Sequence, residues 1–457
     1  MKKICLFLFS LFMATVCFAI VAFGENNDIK IILNNQEVVS KQKPVNYEGA
    51  IYVPVRSVAE AMGFQVVWVA ATDTVNIKSD TTIISMQMGS KNVYKSKING
   101  GGKPSVIHYD NAPRLFGGNI YIPVRNMAEC FGATVGWDSA TNSVIIIYDT
   151  TLKYSADKTV STYAGNGARK RYDSTTERME FISPESIDVS DDGTIYISDS
   201  GVLRKIVNGK SETVEFEPSY ITIDLVRCYK NDVYFLTNEF QDEKGNKFYG
   251  IVKLTGGNAE GIFITEAVYS KITDFNFSPD GKLYVLQNNV GTGQNNIGEL
   301  DMSTGTIKYI KTVDSGITCL AVDEIGNLFL GNTVKGSIYY YDVSQNNLRL
   351  FAGVDGKTKF VDGPNPMFFE PRKLVYKDNE LYVLDYNIIR KVSMNEGKIA
   401  ISAETLAGKI CIDQNPETQN GNASNVEIAG SYLMEFTLTN DGLLFTDPKK
   451  DVVRVVK

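Results

Sequence analysis

An internal duplication near the start of the chain is the feature that most constrains the fold. Residues 51–63 recur without a gap as residues 120–132, at an offset of 69 (120 − 51). The only two tryptophans of the sequence, Trp68 and Trp137, keep the same offset. Self-similarity at a fixed spacing indicates one supersecondary unit that is used twice.

Each copy predicts a short strand, a short helix and a hairpin. In the first copy, residues 51–53 form a strand that Pro54 ends. Ser57 and Glu60 have the spacing of a capping box, and Gly63 is placed as a left-handed C-cap. The remaining predicted features are the hairpins 66–68 with 75–77 and 135–137 with 144–146, the counterparts Pro123, Asn126, Glu129 and Gly132, and a strand at residues 29–33.

The repeated pattern Y-[VI]-P-V-R-x-x-A-E-x-x-G, followed by tryptophan, resembles the copper amine oxidase N-terminal-like domain. This domain, also called a stalk domain, occurs in exported proteins of Gram-positive bacteria. The resemblance covers residues 28–149 and implies a small α+β domain built from the two repeats.

Copper chemistry is not expected from this resemblance. A copper amine oxidase needs histidine ligands and a tyrosine that becomes a quinone, whereas this chain has a single histidine, His108. Lys43 also stands where a threonine is expected three residues before Asn46. Tyr47 is therefore interpreted as a turn or surface residue and His108 as a surface or strand residue, and no cofactor or metal is expected.

Arg56 and Arg125 recur at the start of the two predicted helices. In a functional interpretation they contact an anionic cell-wall polymer. In a structural interpretation they pair with Glu60 and Glu129, or pack on the tryptophans. Repetition in both copies favours the structural interpretation.

The local pattern of residue types changes from residue 158 onward. Short runs of β-branched and aromatic residues alternate with Asp-Gly, Asn-Gly and Gly-Gly turns, which predicts strands. The repeating unit is strand, turn, strand, loop and strand, and it is similar to NHL repeats, which form six-bladed β-propellers. The six repeats align on the central aromatic residues Tyr196, Tyr234, Tyr284, Phe329, Tyr382 and Phe445.

The strand count also predicts how the ring closes. The last repeat ends at its third strand, residues 452–456, and a spare strand at residues 159–164 precedes the first repeat. That spare strand can complete the last blade, which leaves no open sheet edge. The expected architecture is therefore mainly β: a small α+β paired-repeat domain, a linker at residues 150–157, and a six-bladed NHL-like β-propeller at residues 158–457.

The first residues indicate export. Lys2 and Lys3 precede an uncharged apolar run at residues 4–23, and Ala22 and Gly24 supply small residues for a signal peptidase. This pattern predicts a secretory signal peptide at residues 1–24, and the alternative is an uncleaved membrane anchor. Either way the rest is expected outside the membrane, secreted or associated with the cell envelope. If the signal is cleaved, no membrane span is expected in the mature chain.

Composition narrows the classes of partner and chemistry. The formal net charge is −7, and an acidic surface repels phosphate backbones, so nucleic acid is not an expected partner. One histidine rules out a three-histidine metal site. No two of the later cysteines have C-x-x-C spacing, so they are interpreted as small buried hydrophobic residues, with a long-range disulfide left open. These cysteines are Cys130, Cys228, Cys319 and Cys411.

Three hypotheses of function follow. In the first, the protein is a non-catalytic binding or scaffold protein, and one propeller face holds an extracellular protein, a peptide or a cell-wall glycan. In the second, it is a metal-dependent propeller hydrolase of the lactonase type. In the third, the front domain is a stalk or cell-envelope module that displays the propeller, which is compatible with the first. No catalytic residue is assigned; metal ligands in the second hypothesis would be Glu185, Asp188, Asp224 and Asp274.

Overall fold

The structure is a computed structural model that describes most of the chain. The expected signal peptide lies outside the described residues. No helix within them is long and apolar enough to cross a membrane. The described residues are 29–98, 103–138, 141–219, 221–241, 247–265, 270–289, 291–411, 420–428 and 434–457.

The front domain consists of three sheets and two short helices. Its middle sheet joins the two copies, because Ala50–Pro54 pairs antiparallel with Asn119–Pro123. Its strands, in chain order, are Lys30–Leu33, Gln36–Glu37, Val45–Tyr47, Ala50–Pro54, Gln65–Val69, Thr74–Lys78, Thr82–Gln87, Asn92–Lys97, Ser105–His108, Arg114–Phe116, Asn119–Pro123, Thr134–Asp138 and Ser143–Ile147. Its helices are Val55–Ala61 and Val124–Cys130, and a 3₁₀ turn spans Ala70–Thr72.

The duplication predicted from the sequence is confirmed strand by strand. The hairpin Gln65–Val69 with Thr74–Lys78 has its counterpart in Thr134–Asp138 with Ser143–Ile147. The second hairpin also pairs in parallel with Lys30–Leu33, the strand predicted near residue 29. Side chains of both copies and both helices meet in one hydrophobic core.

The predicted capping boxes are wrong, although the helices themselves are present. The first helix begins at Val55, directly after Pro54, whose fixed φ of −59° leads into the first turn. Ser57 therefore lies inside the helix, and its hydroxyl contacts the Ser40 hydroxyl at 2.8 Å. The second helix likewise has no side-chain N-cap hydrogen bond. Both predicted C-cap glycines, Gly63 and Gly132, have a φ of +83°, as a left-handed cap requires.

The second part of the chain is a six-bladed propeller. Each blade is an antiparallel sheet whose strands we call A to D from the ring axis outward, and the A strands of neighbouring blades contact one another around the ring. Blades 1 to 3 are Pro184–Val189, Ile195–Asp199, Val202–Val207 and Lys210–Thr213; Leu225–Tyr229, Asp232–Gln241, Lys247–Thr255 and Asn258–Thr265; and Ser270–Phe277, Leu283–Asn289, Gln294–Asp301 and Thr306–Asp314. Blades 4 and 5 are Ile317–Val322, Leu328–Asn332, Ser337–Asp342 and Asn347–Gly353; and Pro371–Lys377, Glu380–Asp385, Ile388–Met394 and Ala400–Ala407.

Blade 6 confirms the predicted ring closure. Its strands A to C are Phe436–Thr439, Gly442–Asp447 and Val452–Val456, and its D strand is Thr159–Ala164 from the start of the propeller. This D strand pairs antiparallel with Val452–Val456. A fifth short strand, Gly421–Asn422, which the sequence did not predict, covers its outer edge. The six aromatic residues used to align the repeats all lie on B strands.

The expected linker at residues 150–157 is docked on the propeller. Thr151 and Tyr154 form parallel bridges with Val361 and Thr405. The Tyr154 hydroxyl donates to the Gly408 carbonyl at 2.8 Å, and burial raises the pKa of Tyr154 to about 12. The connection therefore extends blade 5 at its edge, and the front domain is held in place by backbone pairing.

The front domain also packs directly on the propeller. Ile147 shares a hydrophobic cluster with Phe360, Phe369 and Ile388, and all four side chains are buried. Polar contacts surround this cluster: Gln36 donates to the Gly356 carbonyl, Asp149 pairs with Lys359, and Asn34 accepts from Thr358. The interface thus combines an apolar centre with a polar rim.

Candidate functional site

The ring axis carries a cavity that side chains from all six blades line. It has a volume of about 350 Å³ and opens where the A strands begin. Its wall contains apolar side chains, hydroxyl groups and charged groups. The apolar residues are Leu225, Leu236, Ile272 and Met434, the hydroxyl residues are Ser186, Thr273, Thr318 and Thr333, and the charged residues nearest the mouth are Glu185, Asp224 and Lys271.

A buried network of charges forms the floor of this cavity. Arg227, on strand A of blade 2, contacts Asp274 at 2.8 Å and Glu435 at 2.9 Å. Lys373, on strand A of blade 5, contacts Glu435 at 2.9 Å, and the Ser186 hydroxyl donates to the same carboxylate at 2.6 Å. This floor network therefore links blades 1, 2, 3 and 5 to Glu435, which precedes strand A of blade 6.

The electrostatics of the floor network follow from its two cations. Burial alone would raise the pKa of Glu435, but the positive charges of Arg227 and Lys373 lower it to about 2. Burial alone would lower the pKa of Arg227, but the negative charges of Glu435 and Asp274 raise it above the ordinary value. Glu435 and Arg227 are thus both charged at neutral pH, and each stabilises the other.

Two of the four candidate metal ligands are structural links between blades. Asp188, on blade 1, accepts the backbone N–H of Cys228, on blade 2, at 2.8 Å. Asp274, on blade 3, accepts the N–H of Leu320, on blade 4, at 3.0 Å in addition to pairing with Arg227. Asp274 is buried and Asp188 is half-buried, and the hydrogen-bond partners of both carboxylates come from the protein itself.

The other two candidates, Glu185 and Asp224, line the cavity. Glu185 is half-buried and accepts from the Ser183 hydroxyl at 3.3 Å, and burial raises its pKa. Burial also raises the pKa of Asp224, while the nearby charge of Lys271 partly opposes this shift. The four candidates therefore do not form one cluster. Glu185, Asp224 and Asp274 line the cavity, but Asp274 is held by Arg227 in the floor network, and Asp188 lies outside the cavity lining.

The donor set does not fit a metal ion. The described residues contain no group of three or more histidine, cysteine, aspartate or glutamate side chains that could hold one. The floor carboxylates Glu435 and Asp274 already face Arg227 and Lys373 at 2.8–2.9 Å. A divalent cation would have to displace these two side chains and bury their charges without partners, which is costly.

The sequence reasoning missed Arg227, Lys373 and Glu435. A signal was present, because Arg227 interrupts the apolar run of the strand Leu225–Tyr229. A charged residue at a buried strand position implies a buried partner. The partner Glu435 lies 208 residues further along the chain, so only the closed ring shows the pair.

In the front domain the expected surface positions are partly corrected. Tyr47 lies in a strand, not a turn, and is half-buried against Tyr52 and Phe116, with the Arg114 guanidinium 4.7 Å from its ring centre. His108 is an exposed strand residue, as expected, with Nδ1 3.0 Å from the Asn92 side-chain oxygen. Neither side chain belongs to a candidate metal group in the described residues.

The structural interpretation of the repeated arginines is supported by geometry. Arg56 pairs with Glu60 at 3.1 Å, and Arg125 with Glu129 at 3.6 Å, each one helical turn apart. All four side chains are largely exposed, so each pair contributes only about 0.3–0.5 kcal/mol. The cysteines of the described residues are all thiols, and three of the four are buried, as predicted.

We expect the full chain to bind no copper stoichiometrically and to form no quinone. One exposed histidine with an asparagine neighbour cannot supply the imidazole set that such copper sites use. Copper titration by calorimetry, together with a quinone stain, measures both properties, and the variant His108→Ala is the control for weak surface binding. Tight stoichiometric binding that survives in His108→Ala would contradict this expectation.

Comparison with known proteins finds a family model that matches the front domain and solved structures that cover more of the chain. The family model described as copper amine oxidase N-terminal domain matches residues 32–146. Among curated proteins, no match was found. One similar solved structure is a protein of unknown function from Bacteroides thetaiotaomicron VPI-5482, with 17% identity, 86% of this chain and 98% of that chain covered, and a TM-score of 0.51.

Two further solved structures have lower scores. An auxiliary nutrient binding protein from the same organism has 15% identity, 82% and 93% coverage, and a TM-score of 0.48. Virginiamycin B lyase from Staphylococcus aureus has 11% identity, 66% and 99% coverage, and a TM-score of 0.41. Residues 32–146 thus match the copper amine oxidase N-terminal domain, and the solved structure with a TM-score of 0.51 shows, at 17% identity, likeness of fold alone.

Proposed function

We propose that this protein is an exported, non-catalytic binding protein whose propeller holds a small polar ligand at the mouth of the axial cavity. The ligand class is a cell-wall glycan or peptide fragment. The observation that carries the proposal is the cavity itself, which is open and polar at the mouth but closed below by a charge network that is neutralised within the protein. Such a cavity can bind a ligand without supplying a reactive group.

The lining suits a ligand with several hydroxyl or amide groups. Thr318 presents a hydroxyl from blade 4, and Glu185 and Asp224 add acceptors from blades 1 and 2. The hydroxyls of Thr273 and Thr333 donate to backbone carbonyls of the protein and can therefore act toward a ligand as acceptors. Apolar side chains between them can pack against the carbon face of a sugar or the stem of an amino acid. Convergent polar groups on an apolar wall are typical of sites that orient a small ligand.

Hydrolysis receives less support from the same residues. A propeller hydrolase of the lactonase type needs a metal above the channel, and the floor carboxylates are occupied by Arg227 and Lys373. The cavity does pair a hydroxyl with a carboxylate, Ser186 with Glu435 at 2.6 Å. Arg227 and Lys373 lower the pKa of Glu435 to about 2, however, so this carboxylate is too weak a base to activate the hydroxyl for acyl transfer.

The front domain then acts as a fixed neighbour of the binding site. The Asn35 side chain donates to the carbonyl of Thr333, a residue of the cavity wall, at 3.3 Å. The docked residues 150–157 hold the domain on blade 5 and on the segment that leads into it. We assign the front domain to the cell-envelope side of the molecule, where it keeps the propeller at the wall.

Calorimetric titration with soluble peptidoglycan fragments, a disaccharide bearing a short peptide, tests the proposal. Thr318→Trp fills the mouth of the cavity and should weaken binding at least about tenfold, a loss of about 1.4 kcal/mol. Thr304→Trp, on an exposed turn of blade 3, is the matched control and should bind as the native chain does. Equal affinity in Thr318→Trp would contradict the site, and absence of binding by the native chain would contradict the ligand class. Metal-dependent lactone hydrolysis that Asp224→Asn abolishes would instead support the enzyme.

A further inference from the structure

Blade 1 contains a buried arginine that two carboxylates hold. Arg204, on strand C, contacts Asp199 at 3.1 Å and Asp173 at 2.5 Å, and its side chain is fully buried. Asp173 comes from the segment that crosses the blade before strand A, and it also accepts the Thr213 hydroxyl of strand D at 2.7 Å. Burial opposes ionisation of Asp173, but the hydrogen bond from Thr213 and the charge of Arg204 lower its pKa.

Blade 5 repeats this buried arginine cluster residue by residue. Arg390 contacts Asp385 at 2.9 Å and Asp362 at 2.6 Å, again with a fully buried side chain. Asp362 lies on the crossing segment and accepts the Thr405 hydroxyl of strand D at 2.7 Å. In both blades the arginine and the threonine are direct cross-strand partners.

Blade 6 has the same cluster with one change. Arg454 is buried and lies 3.5 Å from Asp447, and its cross-strand partner is Thr162. The position of the crossing-segment aspartate is taken by Asn420, whose side-chain oxygen accepts from Arg454 at 3.3 Å and lies 3.4 Å from the Thr162 hydroxyl. An amide thus stands where blades 1 and 5 have a carboxylate.

The residue after Asn420 is Gly421, and both are exposed. Asn-Gly is the dipeptide in which an asparagine loses its amide most readily, because glycine has no Cβ to hinder attack by its own backbone nitrogen. A Cβ at Gly421 would meet no atom within 4 Å, so the surroundings are open to water.

We propose that Asn420 is a site of spontaneous deamidation, and that its product carboxylate completes the arginine cluster of blade 6 and strengthens the closure of the ring. The Gly421 nitrogen attacks the Asn420 side-chain carbonyl carbon and forms a C–N bond. The bond to the amide nitrogen breaks, and ammonia leaves with the proton that the Gly421 nitrogen gives up. Water then opens the succinimide to aspartate or isoaspartate, with no oxidant or reductant involved.

The product has its partners in place before it forms. In blades 1 and 5 one carboxylate oxygen faces the arginine and the other accepts the strand D threonine hydroxyl. In blade 6, Arg454 and Thr162 already contact the Asn420 side chain. Arg454 is already a charged donor to the Asn420 amide oxygen, and a carboxylate in place of that amide adds the Coulombic attraction of an ion pair to the hydrogen bond. The gain falls on the blade that joins the start and end of the propeller.

Incubation of the full chain at mildly alkaline pH, followed by peptide mapping by mass spectrometry, measures the conversion at residue 420. We expect the mass gain of an amide-to-acid change there, and none in Asn420→Gln. Asn420→Asp should raise the thermal midpoint of the full chain by about 2–4 °C.

The matched control is Asn208→Asp, an asparagine that also precedes a glycine but lies in the exposed turn between strands C and D of blade 1. It should leave the midpoint unchanged. A midpoint of Asn420→Asp at or below that of the native chain would overturn the stabilising role. Retention of the amide at residue 420 through the incubation would overturn the modification itself.

Discussion

Arg227→Met should lower the free energy of unfolding by about 3–5 kcal/mol, because it removes the cation that faces two buried carboxylates. Glu435 would keep only Lys373 as a charged partner, and Asp274 would lose its only ion pair described here. Methionine fills a similar volume, so the loss reports charge and hydrogen bonds more than packing. Urea unfolding of the full chain, monitored by circular dichroism, measures the change.

The matched control is Lys205→Met on blade 1. Lys205 pairs with Glu212 at 2.9 Å, but both side chains are substantially exposed. A surface pair of this kind contributes about 0–1 kcal/mol. Equal losses in Lys205→Met and Arg227→Met would contradict the central role of the floor network.

The pH dependence gives a second readout for the same variant. The pKa of Glu435 is lowered to about 2 in the folded protein, below the value of about 4.3 for an unfolded glutamate. Its contribution to stability is therefore present above pH of about 4.3 and is lost as the pH falls toward 2. Without Arg227 the pKa of Glu435 should rise, so the acid-induced loss assigned to Glu435 should become smaller in Arg227→Met.

Ser161→Pro should lower the free energy of unfolding by at least about 2 kcal/mol, because it breaks the strand that closes the ring. Thr159 and Lys457 exchange two backbone hydrogen bonds, at 3.1 and 3.0 Å. In an antiparallel pair such bonds recur every second residue, so Ser161 and Val455 form the next hydrogen-bonded pair. Proline has no N–H to donate and leaves the buried Val455 carbonyl without its partner.

Ser161→Ala is the control, since it keeps the backbone donor and removes only a half-buried hydroxyl. Thermal unfolding of the two variants and the native chain should show a lower midpoint for proline alone. A broadened transition would show that blade 6 now opens before the rest of the ring. A midpoint unchanged in Ser161→Pro would contradict a role for this strand in closure.

The blades could be predicted from sequence because their information is local. Aromatic residues such as Tyr196 and Tyr284 lie in short apolar runs that follow Asp-Gly turns, and these runs form the B strands. Ring closure needed only one further step, the counting of strands. The pairing of residues 159–164 with 452–456 follows because an unpaired edge would leave backbone groups unsatisfied.

The candidate site could not be predicted in the same way. Its residues come mostly from the starts of the A strands of six blades or from the positions just before them, and their convergence is a property of the closed ring. Of the expected ligands, Asp188 and Asp274 accept backbone N–H groups of the next blade, a role that no local pattern distinguishes from metal binding. The prediction of capping boxes was wrong for a local reason. Pro54 and Pro123 are the N-cap residues, so Ser57 and Asn126 lie inside the helices and cannot act as caps.

The docking of residues 150–157 on blade 5 fixes the distance between the front domain and the propeller, which affects how a polymer could bind to both. A flexible stalk offers its two parts over a broad range of separations, and the effective concentration of the second part falls as the linker lengthens. Here the separation has one value, set by Tyr154, Thr405 and the cluster around Phe360. A wall polymer that contacts both parts would therefore have to match this fixed separation with its own repeat spacing. That spacing would then help to determine the avidity.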